Sequence, residues 1–399
     1  MSIRRHATAP ASSCATLGEV PWPRSLITST FVAAVIVAAC SGSTDDAAEA
    51  PTTTADATTT TIDVPPVAVP EFPPQPAGVP WPTEEWSVGE LPDGVDRAAI
   101  DAATDTAFAD GADERVRAVA IVHGGQLVYE RYSPHRTDGP AEIMPSYSIA
   151  KSVTSAAIGI LVGDGLLSLD EPAPVPEWHV DPDDPRADIT LGQMLHMSTG
   201  MPWDDQFDED GATLNEMLAS GDMAEYAAAQ EPIAAPGEQF EYNTGTSMIL
   251  ARIVGDTAGG DALAFLDERL FGPIGMTPVH TDTDRAGTWL GGISADTTAK
   301  NYAKFGLLYL RGGEWDGTQV IPRDWVEYSR TPSPTEPEYG AHWWLEPLRP
   351  GVSYALGFRG QVITVDPMHD LVIVQLSTIG GPLALDHTEA ILDAFADAD

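Results

Sequence analysis

The sequence predicts an α+β fold: an antiparallel sheet built from both ends of the globular chain, flanked by helices, with a mostly helical region inserted between the two strand clusters. Strand patterning falls in two distant pairs. Ala118-Val119-Ala120-Ile121-Val122 and Leu127-Val128-Tyr129 flank the turn residues His123-Gly124-Gly125, as a β-hairpin does. Gln361-Val362-Ile363-Thr364-Val365 and Leu371-Val372-Ile373-Val374 flank Asp366-Pro367-Met368-His369-Asp370 in the same way. Between them, from about Ser148 to Leu310, the chain shows helical spacing and loops; the clearest case runs on from Asp296, with Tyr302, Phe305 and Tyr309 on one side. Helical patterns also bracket the strand clusters. Asp93 is a candidate cap for a helix from Val95 to Phe108, and a last helix is expected from His387 to Phe395. There is no internal repeat.

Composition bounds the class. The chain has 399 residues, 43% hydrophobic and 20% charged, which suits a large core and excludes wholesale disorder or a multi-span membrane protein. Sixty Asp and Glu stand against 20 Lys and Arg, a formal net charge of −40. Nucleic acid is therefore not an expected partner, because phosphate binding needs a basic surface. The charge also favours solubility and disfavours anionic lipid faces. The two cysteines, Cys14 and Cys40, both precede the expected body, so its fold has no disulfide framework, thiolate nucleophile or cysteine-held metal to draw on.

Residues 1–39 read as an export signal: Arg4, Arg5 and Arg24 precede the apolar run Phe31 to Ala39, which is short for a membrane span and ends in small residues. Val37-Ala38-Ala39-Cys40 resembles the bacterial lipobox, which implies acylation of Cys40 and a body anchored to the cell membrane, outside the cytoplasm. An ordinary secretory leader is the alternative. Residues 40–85, with threonine runs at Thr52–Thr54 and Thr58–Thr61 and then frequent prolines, bury too little apolar surface to fold and read as an extended tether. Trp81 and Trp86 mark the expected start of packing, and residues 86–399 form the expected body.

Three short stretches could carry chemistry. Ser148 and Lys151 stand three apart where Pro145-Ser146-Tyr147-Ser148 enters an apolar helix, so they share a face and the amine can reach the hydroxyl. A helix start favours negative charge on that oxygen, and a desolvated lysine can take its proton. The chain has only three lysines, Lys151, Lys300 and Lys304. The plain alternative is a serine cap beside a solvated lysine. Tyr242, after a Pro236-Gly237 turn, could act as an acid or base near an ammonium; taken alone it reads as a core tyrosine. Gly357-Phe358-Arg359-Gly360-Gln361 could bring a backbone N–H to join that of Ser148 in an oxyanion hole, or could simply turn into a strand.

Together these stretches resemble the serine β-lactamase and penicillin-binding-protein superfamily, over about Val116 to Ser377. Within it the likeness is strongest to the branch of class C β-lactamases, esterases and aminohexanoate-oligomer hydrolases. Ile189 to Gly200, Gly291-Gly292-Ile293-Ser294-Ala295 and Tyr339 to Trp344 add to it. The resemblance implies a β-lactamase/DD-peptidase-like fold with Ser148 as the acylated nucleophile, Lys151 as its base partner and Tyr242 as the acid/base serving leaving group and water. It puts Thr244 where the asparagine of a Tyr-x-Asn triplet often stands, matches Gly360 to the glycine of Lys-Thr-Gly, and gives the second oxyanion donor to the Gln361 N–H. Phe358-Arg359-Gly360 lacks the usual cation of that motif, although Arg359 is a possible substitute. This departure points to carboxylic esters or short amides, with a β-lactamase or D,D-carboxypeptidase, and a non-catalytic envelope binder, as alternatives. Trp203 could line a pocket or pack in the core. The acidic run Asp204 to Asp210 reads as a solvated loop that could border the cleft. No two-histidine helix motif, Gly-x-Ser-x-Gly elbow or phosphate loop occurs, so no metal or organic cofactor is expected.

Overall fold

The structure is a computed structural model that describes residues 70–108, 116–134, 139–205, 213–378 and 383–396. In chain order, α1 (Arg97–Ala107) leads into the hairpin β1 (Val116–His123) and β2 (Gln126–Tyr132). The inserted region follows: α2 (Ile149–Gly163), the short α3 (Leu191–Leu195), α4 (Thr213–Ala219) and α5 (Met223–Ala228), then α6 (Thr244–Thr257), α7 (Ala262–Leu266) and α8 (Ala299–Leu310). A small ribbon, β3 (Glu314–Trp315) with β4 (Thr318–Gln319), and α9 (Arg323–Ser329) lead back to β5 (Trp344–Leu345), β6 (Ser353–Gly357), β7 (Gln361–Asp366), β8 (Leu371–Ser377) and α10 (Leu383–Ala396).

The main sheet has six strands in the order β2-β1-β8-β7-β6-β5, every neighbour antiparallel. The expected closure of the two chain ends is the β1–β8 pair, with Ala120 opposite Val374. Both faces of the sheet are covered, which the side-chain alternation of the strands makes possible. Ala118, Ala120 and Val122 of β1, with Val372, Val374 and Leu376 of β8, join the large core under the helical region. Val119 and Ile121, with Leu371 and Ile373, face a smaller core made with Ile100 of α1 and Ile391, Leu392 and Phe395 of α10. Gly306 lets α8 lie close on the sheet: a Cβ there would sit 2.6 Å from a methyl of Val372. Among the described residues, no helix is long and apolar enough to cross a membrane.

Three expectations need correction. The first helix is capped by Asp96, whose side chain accepts from the Ala98 N–H, because Asp93-Gly94 is used up in a turn with Gly94 at φ 96°. The sheet has two further strands that the patterning did not show, β5 and β6, so Phe358-Arg359-Gly360, which leads into β7 as expected, is also the tip of the β6–β7 hairpin. The tether does not extend to residue 85, since residues 70–91 form a strap packed on the body. Phe72 is buried, with the Arg330 guanidinium 3.9 Å over its ring. Arg311 donates to Pro73 O (3.1 Å) and Gln75 Oε1 (3.0 Å), and Lys304 to Thr83 O (3.0 Å). Trp81 lies against Trp315 with ring centroids 5.0 Å apart, and Trp86 donates its indole N–H to Lys300 O. Extended proline-rich chain leaves its carbonyls free, and the body's cations are the donors that bind them, while the Trp86 indole donates from the strap in return. Cys40 and the rest of the leader lie outside the described residues.

Candidate active site

Ser148 stands at the entry to α2 with helical backbone angles (φ −69°, ψ −6°), and its side chain makes no capping bond, so the serine-cap alternative does not apply. The residue before it, Tyr147, has φ 45°, a left-handed conformation that costs a non-glycine residue free energy and that the surroundings must hold. Ser146 supplies that hold. Its N–H donates to Asp296 Oδ1 at 2.8 Å, and its hydroxyl accepts from the Ala295 N–H at 2.8 Å. The turn before the nucleophile is thereby pinned to the segment entering α8.

Lys151 is 1% exposed, the opposite of a solvated lysine. Its Nζ donates to Ser148 Oγ at 3.0 Å, Thr244 Oγ1 at 2.9 Å and Gly292 O at 3.1 Å. Burial lowers its pKa from 10.5 to about 8, opposed by the nearby Asp205 carboxylate. A neutral, proton-accepting amine is thus accessible near physiological pH.

Tyr242 precedes α6, whose N-cap is Asn243, accepting from the Thr246 N–H at 2.8 Å. The cap ends the extended segment and starts the helix in the space of Asn243, which places Tyr242 and Thr244 on either side of Lys151. The Tyr242 ring lies 5.0 Å from Lys151 Nζ and stacks on Trp344 (5.6 Å, 30°), with Tyr339 edge-on (90°). Its phenol is held well above the ordinary value, first by burial and then by Asp205, while a hydrogen bond with Ser148 works the other way. The neutral phenol is therefore the resting form.

Trp203 is buried, and a Cβ at Gly245 would come within 2.5 Å of its ring, so Gly245 is what lets α6 begin under the indole. The indole N–H donates to Asp205 Oδ1 at 2.6 Å, and Thr244 Oγ1 donates to Asp205 Oδ2 at 2.8 Å.

The hairpin residues divide. Gly357, at the end of β6, packs so tightly on the turn before Ser148 that a Cβ would lie 2.3 Å from Ser146 O. Phe358 meets Tyr147 edge-to-face at 5.5 Å. Gly360 takes φ 80° in the turn, and the exposed Arg359 takes φ 63° there and folds its guanidinium over Phe358. The Gln361 side chain ties the hairpin to the end of β8, its amide nitrogen also lying 3.5 Å from Phe358 O. It is fully buried, its Oε1 accepts from the Ser377 N–H at 3.1 Å, and its amide nitrogen donates to Ser377 O.

Ser148, Lys151, Tyr242, Thr244 and Trp203 therefore converge, and Gly360 and Arg359 sit on the adjoining hairpin. Asp205, Gly292 and Gly357 lay in stretches that the sequence singled out, but their individual parts in the site were not anticipated. The signal for Asp205 was its place two residues after Trp203; Gly292 contributes only a carbonyl, which no side-chain pattern reveals.

A family model described as Beta-lactamase matches residues 104–398, which span the sheet and every residue of this site. The chain belongs to the beta-lactamase family. It is accordingly a serine hydrolase of the β-lactamase and penicillin-binding-protein superfamily. A 6-aminohexanoate-dimer hydrolase of Paenarthrobacter ureafaciens is 24% identical over 291 residues, covering 66% of this chain and 73% of that protein. A solved structure from Bacillus anthracis, provisionally assigned as a 6-aminohexanoate-dimer hydrolase, superposes with TM-score 0.61 at 25% identity, covering 71% of this chain and 79% of its own. A family VIII carboxylesterase superposes with TM-score 0.59 at 16% identity, covering 77% and 99%, a likeness of fold.

Proposed function

We propose that this family member cleaves carboxylic esters or short amides through an acyl-enzyme on Ser148. The observation that carries the reading is the buried Lys151 amine, 3.0 Å from the Ser148 hydroxyl and with a pKa lowered to about 8. In acylation, Lys151 takes the Ser148 proton as Oγ bonds to the substrate carbonyl carbon. Tyr242, neutral at rest, hands its proton to the leaving group and recovers one from the ammonium. Water then attacks the ester of Ser148, and the same groups run the proton transfers in reverse. The carbonyl oxygen sits between the Ser148 N–H and a backbone N–H of the hairpin. The close packing of Gly357 on Ser146 brings the hairpin against the Ser148 turn, which supports the Gln361 N–H as that second donor.

The site's charge bears on the substrate. Glu241 is pushed up by burial and then by Asp205 and Asp204, which marks a concentration of carboxylates at the rim. Arg359 lies on the exposed hairpin tip. These features favour neutral or cationic substrates over the carboxylate-bearing ones that a β-lactamase or D,D-carboxypeptidase must hold. The names of the relatives agree with amide and ester chemistry. We further propose, from the lipobox-like Val37 to Cys40, that the enzyme is exported and lipid-anchored at Cys40 on the outer face of the cell membrane.

A fluorophosphonate probe should label Ser148, and Ser148→Ala should abolish turnover of p-nitrophenyl esters. Turnover persisting in that variant refutes the mechanism, and nitrocefin turnover that outpaces ester cleavage refutes the substrate class. Cys40→Ala should release the protein from membranes; unchanged membrane association refutes the anchor.

A further inference from the structure

As an ammonium, Lys151 can satisfy all three of its acceptors at once: Ser148 Oγ, Thr244 Oγ1 and Gly292 O. As a base it has two N–H groups and one lone pair, and the direction of that lone pair decides whether Ser148 can lose its proton. Gly292 offers a carbonyl, which only accepts. Ser148 has a proton to give. Thr244 is the ambiguous neighbour, because a hydroxyl can turn either way, and a Thr244 that donated to the amine would occupy the lone pair unproductively. Asp205 removes the ambiguity. Its Oδ2 lies 2.8 Å from Thr244 Oγ1, and an ionised carboxylate has no proton to give, so the single hydroxyl hydrogen of Thr244 is committed to it. The Trp203 indole N–H, 2.6 Å from Oδ1, holds the carboxylate in place.

We propose that Asp205 is a positioning residue that, by holding the Thr244 hydroxyl as an acceptor toward Lys151, leaves Ser148 as the one donor among the amine's three hydrogen-bond partners to which its lone pair can turn. The inference rests on Ser148 being the nucleophile. In the step it serves, the Ser148 O–H bond breaks, its proton joins Lys151 Nζ, and the freed electron pair on Oγ forms the bond to the acyl carbon. The resulting ammonium keeps its two other N–H bonds to Thr244 and Gly292 throughout, so nothing but the transferred proton has to move. The pairing also accounts for threonine at a position where the resemblance leads one to expect asparagine, since a threonine needs a fixed acceptor behind it to present lone pairs reliably.

The other groups facing this amine are Tyr242, with its ring 5.0 Å away, and the buried His342, whose pKa is driven down to about 3 by burial first and in smaller part by Lys151. Tyr339 and Glu241 stand behind them and both feel Asp205. His342 and the phenols are neutral across the working range, and Asp205 is the carboxylate that acts directly on Lys151.

The test is kcat/KM against pH with a p-nitrophenyl ester, run on the full chain beside fluorophosphonate labelling. Asp205→Asn should lose about ten- to hundredfold in kcat with little change in KM, the size of effect that slight misalignment of a reacting pair produces. Its acid limb should move to lower pH, because removing a negative charge destabilises the ammonium. The double variant of Asp205→Asn with Thr244→Val should be no worse than Thr244→Val alone, since both remove one relay. Thr244→Ser should recover most of what Thr244→Val loses, which reads the relay without touching Asp205. The proposal is overturned if folded Asp205→Asn keeps the unmodified rate and acid limb, if the two losses multiply, or if Thr244→Val is as active as Thr244→Ser. Failure of the probe to label unmodified Ser148 overturns the nucleophile assignment and this proposal together, which separates the two failures.

Discussion

Lys151 is a residue whose folded and unfolded environments disagree about its proton. Its value falls from 10.5 to about 8 because burial penalises the ammonium. Two consequences follow in opposite experiments. Ester turnover should rise with pH through about 8 as the amine becomes a base, and a profile flat from pH 6 to 9 would contradict its role. Lys151→Arg should stay inactive at every pH, because a guanidinium does not deprotonate in this range. Folding stability should also climb between about 8 and 10.5, where the unfolded chain holds the proton that the folded chain has released, and Lys151→Met should flatten that climb in urea titrations. Ser148 and Lys151 were legible in the sequence because their residue types and close spacing carry the chemistry, whereas Tyr242, far along the chain, stood out only through the family resemblance. Asp205 was not legible. It sits in an acidic run that reads as solvated surface, and its bond to Thr244 joins residues 39 apart.

At the level of elements, the β6–β7 hairpin and the turn before α2 fit one another through a glycine. Gly357→Ala would place a methyl 2.3 Å from Ser146 O, a backbone atom that cannot swing aside as a side-chain tip can. The expected cost is about 1–3 kcal/mol of stability. The fall in kcat should exceed what that loss of fold explains, because Tyr147 and Ser148 must shift with Ser146; a variant with normal kcat and lowered Tm would argue against the coupling. The β1–β2 and β7–β8 hairpins could be read in advance because long alternating runs flank clear turns. The two residues of β5 and the five of β6 could not. Ser353-Tyr354-Ala355-Leu356-Gly357 has one aromatic and no β-branched residue, and its pairing depends on a neighbour already in the sheet. The His342 bend escaped notice for the same reason. A buried ring accepting from Ser247 and donating to Leu195 O (3.0 Å) holds φ 62° there, and only the assembled structure supplies both partners.

For the whole molecule, charge and the N-terminal strap set the terms. A formal net charge of −40 repels itself in the compact state, so Tm should rise as salt is added from low ionic strength, where screening is weakest. A fall in Tm over the same range would show that the ion pairs, such as Arg311 with Asp370, outweigh the repulsion. The strap should matter in proportion to Phe72, which is 8% exposed; Phe72→Ala should cost about 3 kcal/mol in urea unfolding, and a negligible loss would mean that the strap adds little to the fold. Composition hid this element. Prolines from Pro70 to Pro82 resemble the tether before them, and what distinguishes the strap is the set of cations waiting on the body.

Lys304, Arg311 and Arg330 all reach backbone oxygens of that strap, at Thr83, Pro73 and Pro70. The practical cloning boundary therefore lies upstream of Pro70. A recombinant version trimmed to Trp86, where composition alone invites the cut, would strip those three cations of their strap acceptors beside a vacated aromatic seat and should be recovered mainly as insoluble material.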